Sequence, residues 1–598
     1  VSKPKPIATC DIETDPFKKF RSPQPFLAGY FDGKVTRSFW GPDCIGQCWR
    51  SMRKHLKGHY IYWHNGGKFD ARYFLPYLIK AKAKLLPIKG RMARFILPDG
   101  TEFRDSYCLL PISLKSTGEK IEIDYRKMER NRREKHREEI ITYWKQDLKL
   151  LHDKVSEFVA EYGFGMTLAG RTFDQLKKRF DICPPKCDEF HDATFRKFYY
   201  GGRVEFFSLG NPKGIFRMFD INSAYPAAMC KEHAFGLDFE ATEKLPRNPE
   251  TLKRCFVRLI GKSSGGLPFR DDSGSLSFAA HTGEFFVTGW EVEAAKRLGK
   301  LDIMEVIECL RPLETKSFKK FVDHFYTMKR EAKKGSSEET FAKLFLNSSY
   351  GRFGLNPRDF RDVKLTAYLA EPEENEELRK TVKKVILKRR PGIRGESLKE
   401  KCVDLWKGLS GKWELANSFD DIGVSIWEKE VPIRSNSFFN VATAASVTGA
   451  VRAFMMESLA KVKNPVYCDT DSIMCEDAGE LKLGRELGEW KLECETEADG
   501  VHIAGKKLYA MKVTKPYWKK EDRLEKDDRK WKLASKGVRL SPSEIVRCAA
   551  GEEIASTLIA PTFSLFTTKS IKGSQADFLT RRINRDDKRK RRNSAKKC

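Results

Sequence analysis

The sequence contains no apolar run approaching the roughly 18–20 residues that a bilayer-spanning helix needs, so it offers no candidate membrane span. Its first residues, Val1-Ser2-Lys3-Pro4, lack the apolar core of a secretory signal. Its fifteen cysteines are odd in number and scattered, which excludes a dense disulfide framework and predicts reduced thiols in a cytosol-like compartment. Two C-x3-C pairs occur, Cys44/Cys48 and Cys183/Cys187. His55 and His59 follow the first pair too soon for a zinc finger, and the second has only His191, so buried or incidental thiols are the better reading. Acid is outnumbered: 83 Asp and Glu face 112 Lys and Arg, a formal charge of +29. Such an excess attracts a polyanion, and nucleic acid is the usual one. What remains is ordinary globular material, 598 residues that are 40% hydrophobic and 12% aromatic. Single cores rarely grow beyond about 250–300 residues, so several domains are expected.

The chain is organised around Tyr467-Cys468-Asp469-Thr470-Asp471-Ser472. Apolar and β-branched residues flank it (Val466 before, Ile473-Met474 after), which predicts two strands joined by a tight acidic turn. Asp469 and Asp471, two apart on an extended chain, project to the same side. Carboxylates held that close repel unless a cation lies between them, and hard oxygen donors favour Mg2+ or Mn2+. A solvated hairpin tip would carry the same tripeptide, so its weight depends on the other acids.

A second acidic pair, Asp11 and Glu13, shares one face of a predicted first strand, Ile7 to Thr14. Tyr60 to Asn65 reads as a strand ending at Gly66-Gly67, and Lys68-Phe69-Asp70 opens a helix through Leu75, where Asp70 has the position of a capping acid. Ile140 to Leu151 has helical periodicity, which puts Tyr143 and Asp147 on one face. The stretch Lys177 to Asp192 reads as a linker. After it, Tyr199-Tyr200-Gly201-Gly202-Arg203 sets aromatics against a glycine pair and a cation, suited to stacked bases and a close phosphate backbone.

An apolar strand then ends at Asp220, within Asp220-Ile221-Asn222-Ser223-Ala224-Tyr225-Pro226, with Pro226 expected to start a helix. From 321 to 356 the chain is helical and basic. Lys329 and Lys333 fall four apart on one helix; Lys343, Asn347 and Tyr350 form one stripe of a second, which Gly351 would close. Opposite charge blocks over 371–412 suggest an exposed excursion. Ser435 to Met456 reads as a buried helix beneath the acidic hairpin. Lys506 to Met511 reads as a strand, and the basic run from Arg581 to Cys598 as a polyanion-seeking tail.

In this order, the acids of the first third resemble the three motifs of DnaQ-like proofreading 3′–5′ exonucleases, an RNase H-like α/β fold. The resemblance implies that Asp11, Glu13, Asp70 and Asp147 hold two metal ions, that Tyr143 orients the attacking water, and that Asn65 and Phe69 hold a frayed 3′ end. Ser106-Tyr107 is similar to that family's Ser-Leu pair for single-stranded DNA, and Lys120 to its catalytic lysine. The stretches DINSAYP, KLFLNSSYG, YCDTDS and KLY (220–226, 343–351, 467–472 and 507–509) resemble motifs A, B, C and K-x-Y of family B DNA polymerases, and YYGG at 199–202 their Y-x-G-G element. Ala224 stands where the family usually has Leu.

Short length resembles one branch, the protein-primed polymerases of small phages, viruses and linear plasmids. The implied architecture is a multidomain α/β protein with a right-hand polymerase of palm, fingers and thumb carrying two insertions. It divides as exonuclease 1–180, linker 181–198, palm 199–231 and 433–520, terminal-protein-contacting insertion 232–316, fingers 317–356, a second, enlarged insertion 357–432, thumb 521–580 and tail 581–598.

The implied partners are template and primer DNA, dNTPs and a terminal protein, with a monomeric chain and no membrane. Two Mg2+ ions are implied in each site, Mn2+ substituting. In the polymerase, Asp220 and Asp471, assisted by Asp469, would hold the ions. Lys343 and Lys329 would neutralise phosphate charge, and Ile221 and Asn347 would border the nucleotide. Tyr225 and Tyr350 would floor its pocket and exclude a 2′-hydroxyl. Lys507 and Tyr509 would steady the primer end, while Tyr199, Gly201 and Gly202 guide a strand between sites. The expected location is a bacterial host's cytoplasm, or the nucleus or cytoplasm of a eukaryotic one. Rivals are a polymerase primed by nucleic acid or by nothing, a DNA-binding protein with decayed sites, and a stand-alone nuclease; the presence of all seven carboxylates disfavours decay.

Overall fold

In the computed structural model the described residues are 5–16, 23–88, 91–114, 122–272, 274–359, 361–367, 414–419, 424–431, 439–514, 530–535, 540–557 and 578–581. Lys120, the charged block 371–412 and the tail beyond Arg581 therefore lie outside them.

The first unit is built on a seven-stranded sheet. Its strands are β1 (Ile7–Thr14), β2 (Pro25–Phe31), β3 (Thr36–Trp40), β4 (Tyr60–Trp63), β5 (Lys84–Ile88), β6 (Arg91–Ile96) and β7 (Glu102–Asp105), in the spatial order β3-β2-β1-β4-β7-β6-β5. The first three form an antiparallel meander, and β4 and β7 run parallel to β1. This is the RNase H-like arrangement the sequence predicts. Alternation along β1 buries Ala8, Cys10 and Ile12 while Asp11 and Glu13 stay half-buried on the opposite face. Helix α1 (Cys44–His55) covers one side with Cys44, Ile45, Cys48, Trp49 and Met52, and α2 (Asp70–Lys80) adds Phe74, Leu75 and Leu78 to the same core.

The long α3 (Arg137–Tyr162) covers the other side, burying Ile140, Tyr143, Trp144, Asp147, Leu148 and Leu151 at helical spacing. It is pinned to the sheet at two points. The Thr9 hydroxyl donates to the Leu148 carbonyl at 2.9 Å, and the Trp144 indole N–H donates to the Asp11 carbonyl at 3.3 Å. Gly29 has no alternative, since an added Cβ would strike the Arg37 carbonyl and lie 2.7 Å from the Trp144 ring.

The expected linker is shorter than read. Helix α4 (Leu168–Phe180) runs into it, and α5 (Glu189–Arg196) fills its second half, held by Phe195 against Phe239 and Phe256.

A second seven-stranded sheet carries Asp220 and the acidic hairpin of Asp469 and Asp471. From one edge its order is Trp531–Ser535, Leu508–Val513, Trp490–Gly505, β9 (Arg217–Ile221), Ser472–Asp477, Lys463–Asp469 and β8 (Val204–Phe206), antiparallel at every step. Between β9 and the rest of this sheet the chain builds a separate four-stranded antiparallel sheet from Phe239–Thr242, Phe256–Ser263, His281–Thr288 and Leu301–Pro312. The same excursion supplies three further helices, α6 (Ala224–Met229), α7 (Pro249–Arg254) and α8 (Gly289–Arg297). Helix α6 begins two residues before Pro226, not at it.

Helices α9 (Lys319–Glu331) and α10 (Ser337–Phe353) follow as a packed pair. Lys333 lies beyond the end of α9 rather than on it. Gly351 lies inside α10, whose last turn continues to Phe353 with Gly354 as the capping residue. The Ala-rich Val441–Lys461 helix is buried along most of its length, starting later than the sequence suggests. Its neighbours are α8, α6 and α5 rather than the acidic hairpin, which it reaches through a shared core with Phe219, Ile221 and Ile473.

One continuous core joins the two large units. Phe158 and Tyr162 of α3 pack on Phe341 and Phe345 of α10, with Tyr162–Phe345 ring centroids 4.6 Å apart. A three-stranded sheet of Arg361–Ala367, Val424–Glu430 and Glu414–Phe419 docks beside β5 and α2, where Ile426 enters the first unit's core. Among the described residues no helix is long and apolar enough to cross a membrane, and the described cysteines are all free thiols.

Candidate active sites

Antiparallel register determines the cleft of the second sheet. Asp220 on β9 pairs across the sheet with Ser472, which itself pairs with Asp469 in the next hairpin. The Ile221 N–H donates to the Asp471 carbonyl at 2.8 Å, which closes β9 onto the acidic turn. Asp220 thus meets a pair of acids roughly 250 positions further along the chain. Asp220, Asp469 and Asp471 line a single cleft of about 610 Å³ with Ser223, Tyr225, Asn347, Tyr350, Lys507 and Tyr509.

The turn itself is strained. Thr470 has φ +61, a left-handed conformation that β-branched residues rarely adopt. Two contacts hold it there. Its N–H donates to the Arg203 carbonyl at 2.7 Å, and Gly202 lies so close that an added Cβ would sit 2.6 Å from the Thr470 side chain. The glycine of the Tyr-x-Gly-Gly segment is therefore required by the acidic turn, while nothing lies near an added Cβ at Gly201.

The electrostatics favour a cation. Burial, reinforced by Asp471 and Glu493, pushes the Asp220 carboxyl up to about 7 despite the opposing charges of Lys532 and Lys491. Burial and the neighbouring Asp469 also raise Asp471. Asp469 is differently placed, because the Lys507 ammonium spans both its oxygens at 2.6 Å. The Lys507 N–H in turn donates to the Tyr467 hydroxyl at 2.8 Å, and Tyr467 packs on Tyr509.

This all-oxygen donor set suits Mg2+ or Mn2+, and the mutual repulsion of Asp220 and Asp471 is what a bound divalent ion would relieve. Among the described residues no three Asp, Glu, His or Cys side chains stand as a preformed ligand set.

Tyr225 and Tyr350 stack at 3.9 Å with 5° between their rings, and Tyr199 packs against Gly354 behind them. Lys329 donates to the Ser223 hydroxyl at 3.4 Å. Burial and the nearby Lys343 lower its pKa, as expected of two cations awaiting an anion. Two corrections apply here. The Ile221 side chain is fully buried in the core and faces a small apolar cavity behind the cleft, so only its backbone borders the site. Glu493, not anticipated from sequence, is the extra residue of a β-bulge opposite β9 and projects into the cleft, paired with Lys532. Its signal was weak, one acid in a run of mixed charge.

In the first unit Asp70 lies against β1, and Glu13 and Asp147 both act on Tyr143. Asp70 is buried at the start of α2 without capping its helix, and receives the backbone N–H of Ile12 on β1. Burial and then Asp105 push it up to about 7. Tyr143 is buried on α3 and pushed up first by burial, then by Asp147 and Glu13. Its hydroxyl stays protonated and lies 3.3 Å from that of Tyr125.

Asn65, left-handed at φ +58, begins the turn that leads through Phe69 into Asp70. Asp105 braces that turn by accepting from the Gly67 N–H while paired to Arg91. Ser106 is corrected. It is fully buried, its hydroxyl donating to the Trp63 carbonyl, and the exposed member of the pair is Tyr107, under the Arg91 guanidinium. Cys44 and Cys48 are buried on α1, and Cys183 is exposed apart from buried Cys187.

Comparison with known proteins agrees with this geometry. Residues 116–390 match the family model for DNA polymerase type B, organellar and viral. The chain is 35% identical over 547 residues to the DNA-directed DNA polymerase of Enterobacteria phage PRD1, covering 90% of this chain and 86% of that one. A probable DNA polymerase of Ascobolus immersus is 25% identical over 399 residues, of which this chain spans only 28%. Phi29 DNA polymerase complexed with primer-template DNA and incoming nucleotide substrates shares the fold at TM-score 0.65 and 17% identity, over 97% of this chain and all of that one. By that identity and coverage, the chain belongs to the organellar and viral type B DNA polymerases.

Proposed function

We propose that this polymerase replicates a linear viral or plasmid genome, starting from a terminal protein, displacing the non-template strand and proofreading with its own 3′–5′ exonuclease. The observation that carries the synthetic half is the placement of Asp220 and Asp471 in one cleft, where burial raises both carboxyls, Asp471 adding to the rise at Asp220 and Asp469 to that at Asp471. Two Mg2+ ions held there would lower the pKa of the primer hydroxyl and shield the triphosphate.

The chain's own groups do the rest. Asp220 and Asp471 hold the ions, and Asp469, bound to Lys507, keeps that lysine at the primer terminus. Lys329 and Lys343 offset charge on the departing phosphates. The Tyr225–Tyr350 stack forms a rigid floor beneath the sugar and leaves no room for a 2′-hydroxyl. Tyr199, Gly201 and Gly202 guide the strand.

In the exonuclease, Asp11, Glu13, Asp70 and Asp147 hold metal, the Tyr143 hydroxyl donates toward the attacking water, and Asn65, Phe69 and Tyr107 receive the frayed end. The domain limits 1–180, 199–231 with 433–520, 232–316, 317–356, 357–432 and 521–580 are part of this proposal, as are a monomeric state, dNTP and primer-template substrates and a host-cell interior location.

The test supplies a candidate terminal protein, a linear template and one labelled dNTP at a time. A protein-linked nucleotide is the expected product. Extension of a DNA primer with no protein-linked product would instead assign nucleic-acid priming.

A further inference from the structure

We propose that Arg203 is a positioning residue that locks the catalytic turn and ties it to the inserted four-stranded unit. This rests on the polymerase reading above. Arg203 is buried, and its two ends face different partners. Its backbone carbonyl accepts the Thr470 N–H at 2.7 Å, which holds the left-handed residue between Asp469 and Asp471.

Its guanidinium binds Glu205 with Nε at 2.7 Å and Nη2 at 2.6 Å, while Nη2 also donates to the Gly265 carbonyl at 2.8 Å. The same guanidinium lies 4.9 Å from the Phe278 ring centroid. Gly265 and Phe278 flank the small hairpin Phe269–Arg270 with Leu276–Ser277, which belongs to the insertion. Glu205 itself is buried and pairs in the sheet with Cys468, one residue before the turn.

A left-handed threonine is strained and persists only where its surroundings over-determine it. Beside the close approach of Gly202, Arg203 supplies that restraint through its carbonyl and extends it into the insertion through its guanidinium. The hairpin makes two further contacts with the same machinery. Arg270 lies 5.6 Å from the Tyr200 ring, and the Leu276 carbonyl accepts from Lys506, next to Lys507. Displacement of the insertion would therefore be felt at the turn that carries both aspartates.

The experiment is hydrogen–deuterium exchange of the Thr470 amide in full-length protein free of metal and DNA, joined to the Mg2+ concentration giving half-maximal primer extension. In R203M, exchange is expected to be at least about tenfold faster and the Mg2+ requirement several-fold higher, with trimming of single-stranded DNA unchanged. R203K keeps a charge beside Glu205 but cannot also hold Gly265, so it stays defective. Wild-type exchange in R203M, or full rescue by R203K, overturns the proposal. Should R203M fail to fold, F278A carries the test, with a smaller rise in exchange expected and no change overturning it. Failure of wild-type protein to extend any primer would instead defeat the polymerase reading and leave the exchange result standing by itself.

Discussion

At the scale of single residues, the two sites depend on acids kept where water cannot neutralise their repulsion. Burial, with Asp471 and Glu493, pushes the Asp220 carboxyl up to about 7 in the folded chain, against about 3.9 when unfolded. The folded state therefore holds a proton that the unfolded state releases, and stability falls as pH rises through that window. Metal-free protein is expected to lose on the order of 1–2 kcal/mol between pH 5 and pH 8 from this half-buried group, after allowing for solvent screening. D220N should flatten the profile, measured by urea unfolding in a chelator. Replacing Asp471 by Ala should abolish Mg2+-dependent extension while 3′-end trimming survives, and D11A with E13A should do the reverse; gel assays on one labelled primer read both. Tyr225→Val removes one ring of the stack, so discrimination against ribonucleotides should fall by about 10–100-fold in single-nucleotide insertion kinetics.

At the scale of elements, α10 is the joint between the halves. One side of it presents Asn347 and Tyr350 to the cleft, and the other buries Phe341 and Phe345 against α3. Phe345 is fully buried, with rings of Tyr162 and Phe325 at 4.6 and 4.7 Å. Phe345→Ala should cost about 3–5 kcal/mol through the cavity it leaves. Thermal unfolding would register that loss, and extension should weaken with it because Asn347 and Tyr350 of the cleft are carried on the same helix. Elements with strong period were readable from sequence. The strand Ile7–Thr14 was placed to the residue, since alternation with acids on the open face admits little else. Helix ends were read less well: Gly351 seemed a stop, yet α10 runs past it because Phe353 has a core position to fill.

At the scale of the whole molecule, the charge of +29 is not matched by any internal acid store. Many of the described arginines and lysines are already paired on the surface, and the remainder is the charge available to a phosphate backbone. Affinity for primer-template DNA should fall steeply with salt. A slope of log K on log salt of about −5 or steeper, measured by fluorescence anisotropy, corresponds to roughly six phosphates neutralised; a flat response would place the excess charge elsewhere.

By itself the sequence determined the fold class and the polymerase family, because its short acidic motifs resemble in kind and order those of family B polymerases, and apolar periodicity placed the strands and helices around them. Only the tertiary structure decided which groups meet. Glu493 entered the cleft through a bulge, Ser106 turned inward to bond Trp63, and Arg203 came to rest between the catalytic turn and the insertion. Such outcomes depend on strand register and on contacts between residues tens to hundreds of positions apart, and no local pattern encodes those.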